Sequence, residues 1–240
     1  EVAKAVSGRF VPRNHHSIEE LCRLYQVDHL LLVTQQGVQC VFRDQHQPFF
    51  FHPNAAMLRI RNLLQGGHDP LQKAAGLAEG MSILDCTLGL GADAIVASFI
   101  VGPTGEVVGI ESEPVVAYIV QEGLKTRETE NQAVNQAMRR IKVICDDHTH
   151  YLKQCQPNQY DVIYFDPMFE ETVHSSTGLA PLKRLANYNS LDEETVYHAC
   201  RVARKRVILK DSRHSSRFKQ LGFTPLVRRA SFWYGIIDVG

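Results

Sequence analysis

The chain has 240 residues, 44% hydrophobic and 22% charged. That is ordinary globular composition and excludes a disordered, collagen-like or fibrous protein. Lys plus Arg is 26 and Asp plus Glu is 26, so the net charge is zero and the surface as a whole is not made to coat a polyanion, although a local basic face stays open.

The chain begins with Glu1 and not with Met, which leaves a preceding segment open. Ser17 with Glu20 three residues on is a capping box, so a short helix is expected over Ser17 to Tyr25. His29 to Thr34 and Val38 to Arg43 are short apolar runs, and Gln35-Gln36-Gly37 between them suggests a hairpin. Pro48 to His52 reads as a third strand and Ala55 to Leu64 has helical spacing. Residues 1–65 therefore predict a small α+β module, with Gly66-Gly67 at its boundary.

From residue 66 to 240 the pattern alternates. Strands are expected at Ser82 to Cys86, Val107 to Glu111, Ile141 to Cys145, Asp161 to Asp166 and Arg206 to Lys210. Helices are expected at Ala92 to Ile100, Pro114 to Lys125 and Leu191 to Arg204, the last capped by Ser190 with Glu193, and a short one at Ser215 to Leu221. Short continuous apolar strands alternating with helices imply an α/β, doubly wound parallel sheet covered on both faces. Leu226 to Ser231 and Trp233 to Val239 have no helix between them and imply an antiparallel edge, for seven strands in all.

The longest nearly apolar run, Ala94 to Val101, is far short of the roughly 20 residues of a membrane span. No secretory signal is visible. None of the six cysteines forms a C-x-x-C pair. Reduced core thiols in a cytoplasmic protein are the expectation, with a zinc site or disulfide framework as the lesser alternative.

Asp85-Cys-Thr-Leu-Gly89-Leu-Gly91 follows the first strand of the alternation and opens a helix. Glycines there let the backbone turn tightly and approach a ligand, and the helix N-terminus offers free N–H groups. Glu111, twenty residues past Gly91, ends the next strand, where a carboxylate can accept both hydroxyls of a ribose. The bland alternative is a turn that merely packs a helix on a strand. Two cofactors compete. Read from Gly89 to Ala94, the loop also satisfies the dinucleotide fingerprint. Asp85 favours S-adenosylmethionine, because a carboxylate beside the loop suits a cationic amino-acid end and repels a pyrophosphate. The third strand ends at Asp146-Asp147-His148, and Asp147 with His148 can face an adenine amino group. A solvated acidic loop is the alternative. His150 extends the run toward metal-ligand types, but no second cluster stands at a defined spacing, so no metal is expected.

Asp166-Pro167-Met168-Phe169 closes the fourth strand, at the carboxyl ends where ligands sit in such sheets. An exocyclic amine on a base is a poor nucleophile, its lone pair being delocalised into the ring. Asp166 can accept its N–H by side chain or main chain, with the carbonyl held by the rigid Pro167, and Phe169 offers a stacking face to an unpaired base. The alternative is a D-P pair that only ends a strand, with Met168 and Phe169 in the core. Arg201, Arg204, Lys205, Arg206, Lys210, Arg213, Arg217, Lys219, Arg228 and Arg229 stand against one acid, Asp211. They read as a phosphate-binding face or as solvated helix surface.

These motifs together resemble the bacterial small-subunit ribosomal RNA guanine-N2 methyltransferase family (RsmJ-type) and its relatives among class I S-adenosylmethionine-dependent methyltransferases. The likeness runs from about residue 30 to the end. It rests on Gly67-His68-Asp69-Pro70-Leu71-Gln72-Lys73-Ala74, the loop from Asp85 to Ala94, Glu111 with Pro114 to Ala117, the D-P-M-F tetrad, and Val207 to Lys210. The resemblance implies a Rossmann-like seven-strand methyltransferase sheet over residues 66–240, S-adenosylmethionine as cofactor and RNA, small-subunit ribosomal RNA above all, as partner. It implies cofactor contacts at Ala92, Asp93, Glu111, Ser112, Asp147, His148 and Asp166. The chain departs from the family pattern at Ala92, where an Arg is usual, at Glu170, where Pro is usual, and at Asp147 and His148, where small hydroxyl residues are usual. Its His52-Pro53-Asn54 element marks a distinct subgroup. Transfer to a protein amide or small molecule, a binding module without catalysis, and an NAD-linked oxidoreductase are the competing functions.

Overall fold

The computed structural model describes residues 2–35, 37–44, 47–167, 182, 185, 191–228 and 231–240. Near the N-terminus lie helices α1 (Val2–Ala5) and α2 (Ile18–Tyr25). α2 has the reciprocal Ser17–Glu20 capping box. Strands β1 (His29–Thr34) and β2 (Gly37–Phe42) then pair antiparallel, from His29 opposite Phe42 to Thr34 opposite Gly37. The run expected as a third strand makes a single bridge, Phe49 with Cys40. Phe49 and Phe51 still alternate inward, but Pro48 has no N–H for a ladder, and both rings go into the core.

Helix α3 (Asn54–Leu64) leads to α4 (Pro70–Ala75), whose start is fixed by Asp69 accepting from the N–H of Leu71 at 2.9 Å and by Pro70 in the first turn. The alternating part then follows. It runs β3 (Ser82–Asp85), α5 (Ala92–Val101), β4 (Glu106–Glu111), α6 (Pro114–Thr126), α7 (Gln132–Arg139), β5 (Ile141–Cys145), α8 (His148–Gln154) and β6 (Tyr160–Phe165). After it come α9 (Glu193–Val202), β7 (Ala203–Ser212), α10 (Arg217–Gln220), β8 (Thr224–Arg228) and β9 (Phe232–Asp238). The sheet order is β5-β4-β3-β6-β7-β9-β8, parallel except that β9 runs antiparallel to both neighbours. Successive strands first step from β3 to one side and then to the other, so a crevice opens at the carboxyl ends of β3, β4 and β6.

Every residue of β3 and β6 is buried, as their continuous apolar runs require. One apolar cluster joins Phe42, Phe49, Phe51 and Ile60 to Leu71, Ile83, Ile95, Val120 and Tyr164. A second lies under the other face, around Leu84, Ile163, Val196 and Leu209. α9 starts two residues later than expected, because Asp192 accepts from the Thr195 N–H at 2.8 Å and is the cap; Ser190 lies outside the described residues. β7 is longer than Arg206 to Lys210, since its pairing with β9 continues through Ser212. Pro225 sits at a register shift of β8, an edge strand that tolerates it. All six cysteines are free thiols, four of them buried.

The basic run does not form one face. Arg204 and Lys205 meet Asp161 at the amino end of β7, Arg206 pairs with Asp238, and Arg201 donates to the carbonyls of Leu152 and Cys155. Lys210 turns into the opposite end of the sheet and Arg217 closes on buried Asp211. β7 spreads Arg204 to Lys210 along some 20 Å, and most of the cations are already engaged. Arg229 lies outside the described residues.

Candidate functional site

The loop after β3 is built by its own backbone. Gly89 and Gly91 sit at φ +48° and +73°, in the left-handed region, and Gly91 caps α5 with no side chain over the helix N-terminus. The Gly89 N–H donates to Glu111 Oε2 at 3.1 Å, and the Glu113 N–H to Glu111 Oε1 at 3.0 Å. Glu111 is thus aimed at the loop from the tip of β4. Burial raises its pKa and the two amides pull it back. Each carboxylate oxygen keeps a second lone pair for a ligand hydroxyl. Ser112 lies between Glu111 and Glu113.

Asp85 is buried at the end of β3, where its Oδ1 accepts from the Thr87 N–H at 3.0 Å. Burial, with Asp93 and Asp166 nearby, pushes its pKa up to about 8. At the β5 tip the Asp146 N–H reaches the Glu111 carbonyl at 3.1 Å. Asp147 caps α8 by accepting from Thr149 and His150. His148 packs edge-on to Phe165 with ring centres 5.8 Å apart, and burial lowers its pKa so that the ring stays neutral near pH 7.

Asp166 follows β6. Its N–H donates to Thr87 Oγ1 at 2.6 Å, which ties it to the glycine loop. Its Oδ2 meets Lys210 Nζ at 2.6 Å, and the same ammonium reaches Asp93 Oδ2 at 3.1 Å. Asp93 also accepts from Arg59 and, at 2.9 Å, from the Tyr164 hydroxyl. Arg59 in turn holds Asp69 through two bonds of 2.8 Å. Burial and Asp93 raise the Asp166 pKa to about 6 against the pull of Lys210. The two cations hold Asp93 well below the usual carboxylate range, despite its burial.

The loop glycines, Glu111 and Asp166 are thus joined by direct bonds, with Asp147 and His148 one strand further on. Asp93 and Ala92 open α5, but the Asp93 carboxylate turns to the β6–β7 side. Met168 and Phe169 lie outside the described residues, as does Glu170. Among the described residues no group of three His, Cys, Asp or Glu could hold a metal ion. Sequence reasoning missed Arg59, Asp69 and Tyr164 as parts of this site and saw Lys210 as a strand end and as one cation of the basic run. The readable signal for Lys210 was a cation following an apolar run.

Residues 20–224 match the family model of SAM-dependent methyltransferases. The chain belongs to this family. It is 45% identical over 239 residues, 99% of this chain and 92% of the relative, to the uncharacterized protein YpiP of Bacillus subtilis. It is 32% identical over 151 residues, 60% of this chain, to the ribosomal RNA small subunit methyltransferase J of Hydrogenovibrio crunogenus. The chain spans about half of that second relative's length (53%). Among solved structures, the SAM-dependent methyltransferase NGO1261 from Neisseria gonorrhoeae superposes with a TM-score of 0.65 over 99% of this chain and 90% of that one, at 17% identity, which establishes the shared fold.

S-adenosylmethionine is the cofactor of this methyltransferase family, and the residues present suit it. The positive-φ glycines leave room at the loop, the uncapped N–H groups of α5 face it, and Glu111 presents a carboxylate at the β4 tip. The carboxyls at the ends of β3 and β6 suit a cationic group better than a pyrophosphate. No helix among the described residues is long and apolar enough to cross a membrane.

Proposed function

We propose that this methyltransferase modifies an exocyclic amine of a base in RNA, with small-subunit ribosomal RNA as the substrate class. The observation that carries the reading is the Asp166-Pro167 strand end, tied through Thr87 to the glycine loop and carrying a carboxylate held from one side by Lys210. The name of the Hydrogenovibrio relative supports RNA as the substrate. When bound, S-adenosylmethionine supplies a methyl group on a positively charged sulfur that needs little activation.

In this reading Glu111 accepts from the ribose hydroxyls and Ser112 lies against them. Asp147 and His148 flank the adenine. The backbone at Gly89, Gly91, Ala92 and Asp93 lines the cofactor, and Asp85 faces its amino-acid end. Asp166 accepts the amine N–H and so concentrates the nitrogen lone pair, and it also borders the cofactor. Pro167 fixes the acceptor's backbone. Met168 and Phe169 complete the tetrad in sequence, and Phe169 offers the base a stacking surface of about 1–3 kcal/mol. The protein's contribution is mostly positioning and exclusion of water. Residues 66–240 form the methyltransferase unit and residues 1–65 a small appended module whose Arg59 reaches into it. Action in the cytoplasm belongs to the same reading.

The test is mass spectrometry of ribosomal RNA nucleosides from cells with and without the gene. One methylated nucleoside should disappear, return with the wild-type gene and stay absent with Asp166→Ala. Unchanged nucleosides, with methyl label entering protein instead, would replace the RNA reading by one in which the amine is a side-chain amide.

A further inference from the structure

Lys210 follows the apolar run Val207-Ile208-Leu209 of β7, and its side chain is only 17% exposed. A lysine in such a place loses hydration that must be replaced. Here the replacement is specific. Two carboxylates share the ammonium, Asp166 at 2.6 Å and Asp93 at 3.1 Å, and the Phe232 ring lies 5.2 Å from it. Asp93 is not free to follow Lys210, because Arg59 and the Tyr164 hydroxyl hold it from other directions. Arg59 is itself clamped by buried Asp69. The chain Asp69–Arg59–Asp93–Lys210–Asp166 has three acids and two cations, and it ends on the proposed amine acceptor. Among the described residues, the carboxyl contact to Asp166 falls on Oδ2.

We propose that Lys210 is a positioning residue for methyl acceptance: anchored by Asp93, its ammonium pins Oδ2 of Asp166, keeps that carboxyl ionised and leaves Oδ1 to accept from the incoming amine. This rests on the reading of Asp166 as the acceptor. The groups facing Asp166 decide the sign. Lys210 favours the carboxylate, and Arg59 of α3 bears on it through Asp93. Asp93 of α5 and Asp211 of β7 oppose it, Asp85 of β3 keeps its proton until about pH 8, and Tyr164 and Tyr234 bring neutral phenols. Without Lys210, burial, Asp93 and Asp211 remain against the charge, so the Asp166 carboxyl takes up a proton near neutral pH. A protonated carboxyl donates where an acceptor is needed. Lys210 also makes the acceptor depend on α3, since Arg59 fixes the group that fixes it.

The experiment titrates the Asp166 carboxyl carbon by NMR in the full chain with S-adenosylhomocysteine bound, the signal being assigned by its loss in Asp166→Asn. In Lys210→Gln the carboxyl should bind its proton at least about tenfold more tightly than in wild type. In Lys210→Arg, which keeps the cation, the midpoint should stay near that of wild type. In single-turnover methylation of ribosomal RNA, the acidic limb should move to higher pH in Lys210→Gln by the same factor. The rate should fall about twofold at pH 7 and about tenfold at pH 5, and recover toward pH 9, with the KM for S-adenosylmethionine unchanged. An unshifted midpoint in Lys210→Gln, or a pH profile parallel to wild type, overturns the proposal. So does a wild-type Asp166 still protonated at pH 8, which needs no Lys210 variant to fold. The carboxyl titration reads Lys210 whether or not RNA is the substrate, so a wild-type protein that methylates no RNA counts against the function alone.

Discussion

On the β4 and β5 side of the crevice, acids answer backbone amides a few residues from themselves or on the adjoining loop. Asp147 caps the helix that begins one residue later, and Glu111 holds Gly89 and Glu113. On the β6 and β7 side, acids answer side-chain cations from distant segments. Arg59 and Asp93 are 34 residues apart, Lys210 and Asp166 are 44 apart, and Lys210 and Asp93 are 117 apart. The first side can lose a contact and let water replace it. The second leaves an unpaired charge in a buried place, which is the costlier fault. Cofactor binding and fold stability are therefore expected to separate across the sheet, with methyl acceptance on the stability side.

Substitutions at the ends of this comparison should break it or sharpen it. Asp166→Ala has the largest expected effect, a fall in methyl transfer of about a thousandfold in single-turnover assays. Its affinity for S-adenosylhomocysteine should stay within about tenfold of wild type by calorimetry. Equal losses in both would merge the two sides. Arg59→Met comes next. It leaves buried Asp69 without its cation and Asp93 with one cation in place of two, and should destabilise the fold by about 3 kcal/mol, a drop of roughly 6–12 °C in Tm for a chain this size. A Tm within 2 °C of wild type would mean the ion chain carries no stability. Glu111→Gln should do the reverse. It sets an amide donor against a backbone N–H and should weaken S-adenosylhomocysteine about tenfold, while costing about 1 kcal/mol of stability or less.

The same division explains what could be read in advance. The strand and helix order, the glycine loop, Glu111 and the Asp166-Pro167 end were legible because each depends on local spacing: an apolar run, a turn that needs glycine, an acid at a strand tip. α4, α7 and α8 were not, since six to eight residues carry too little periodicity; only their caps, Asp69, Asn131 and Asp147, marked them. Arg59 was illegible because nothing in Asn54–Leu64 says which acid its guanidinium will meet. The dense basic run was misleading for the same reason. Along the chain Arg204, Lys205, Arg206 and Lys210 look like one patch, while β7 sends them to opposite ends of the sheet and to different acids.

Asp85 stands on the seam between the two sides and gives the subtlest test. It is buried, bonded to the Thr87 N–H, and has a pKa near 8 because of burial first and neighbouring acids second. The unfolded chain releases this proton near pH 4, and the folded chain keeps it until about pH 8. The folded state therefore binds more protons across that window, and its stability falls as pH rises through it. Asp85→Asn keeps the acceptor for Thr87 and cannot ionise. Its Tm should exceed that of wild type by a few degrees at pH 8, converge with it near pH 4, and vary less between. If Asp85 faces the cationic amino-acid end of the cofactor, binding should lower its pKa and expel the proton. Calorimetry of S-adenosylhomocysteine at pH 7 in two buffers of different ionisation heat would then show proton release in wild type and none in Asp85→Asn. Affinity should fall in the variant while Tm rises. A rise in Tm without loss of proton release would assign the carboxyl to the loop alone, and would move the charge recognition of the cofactor across the sheet to Asp166.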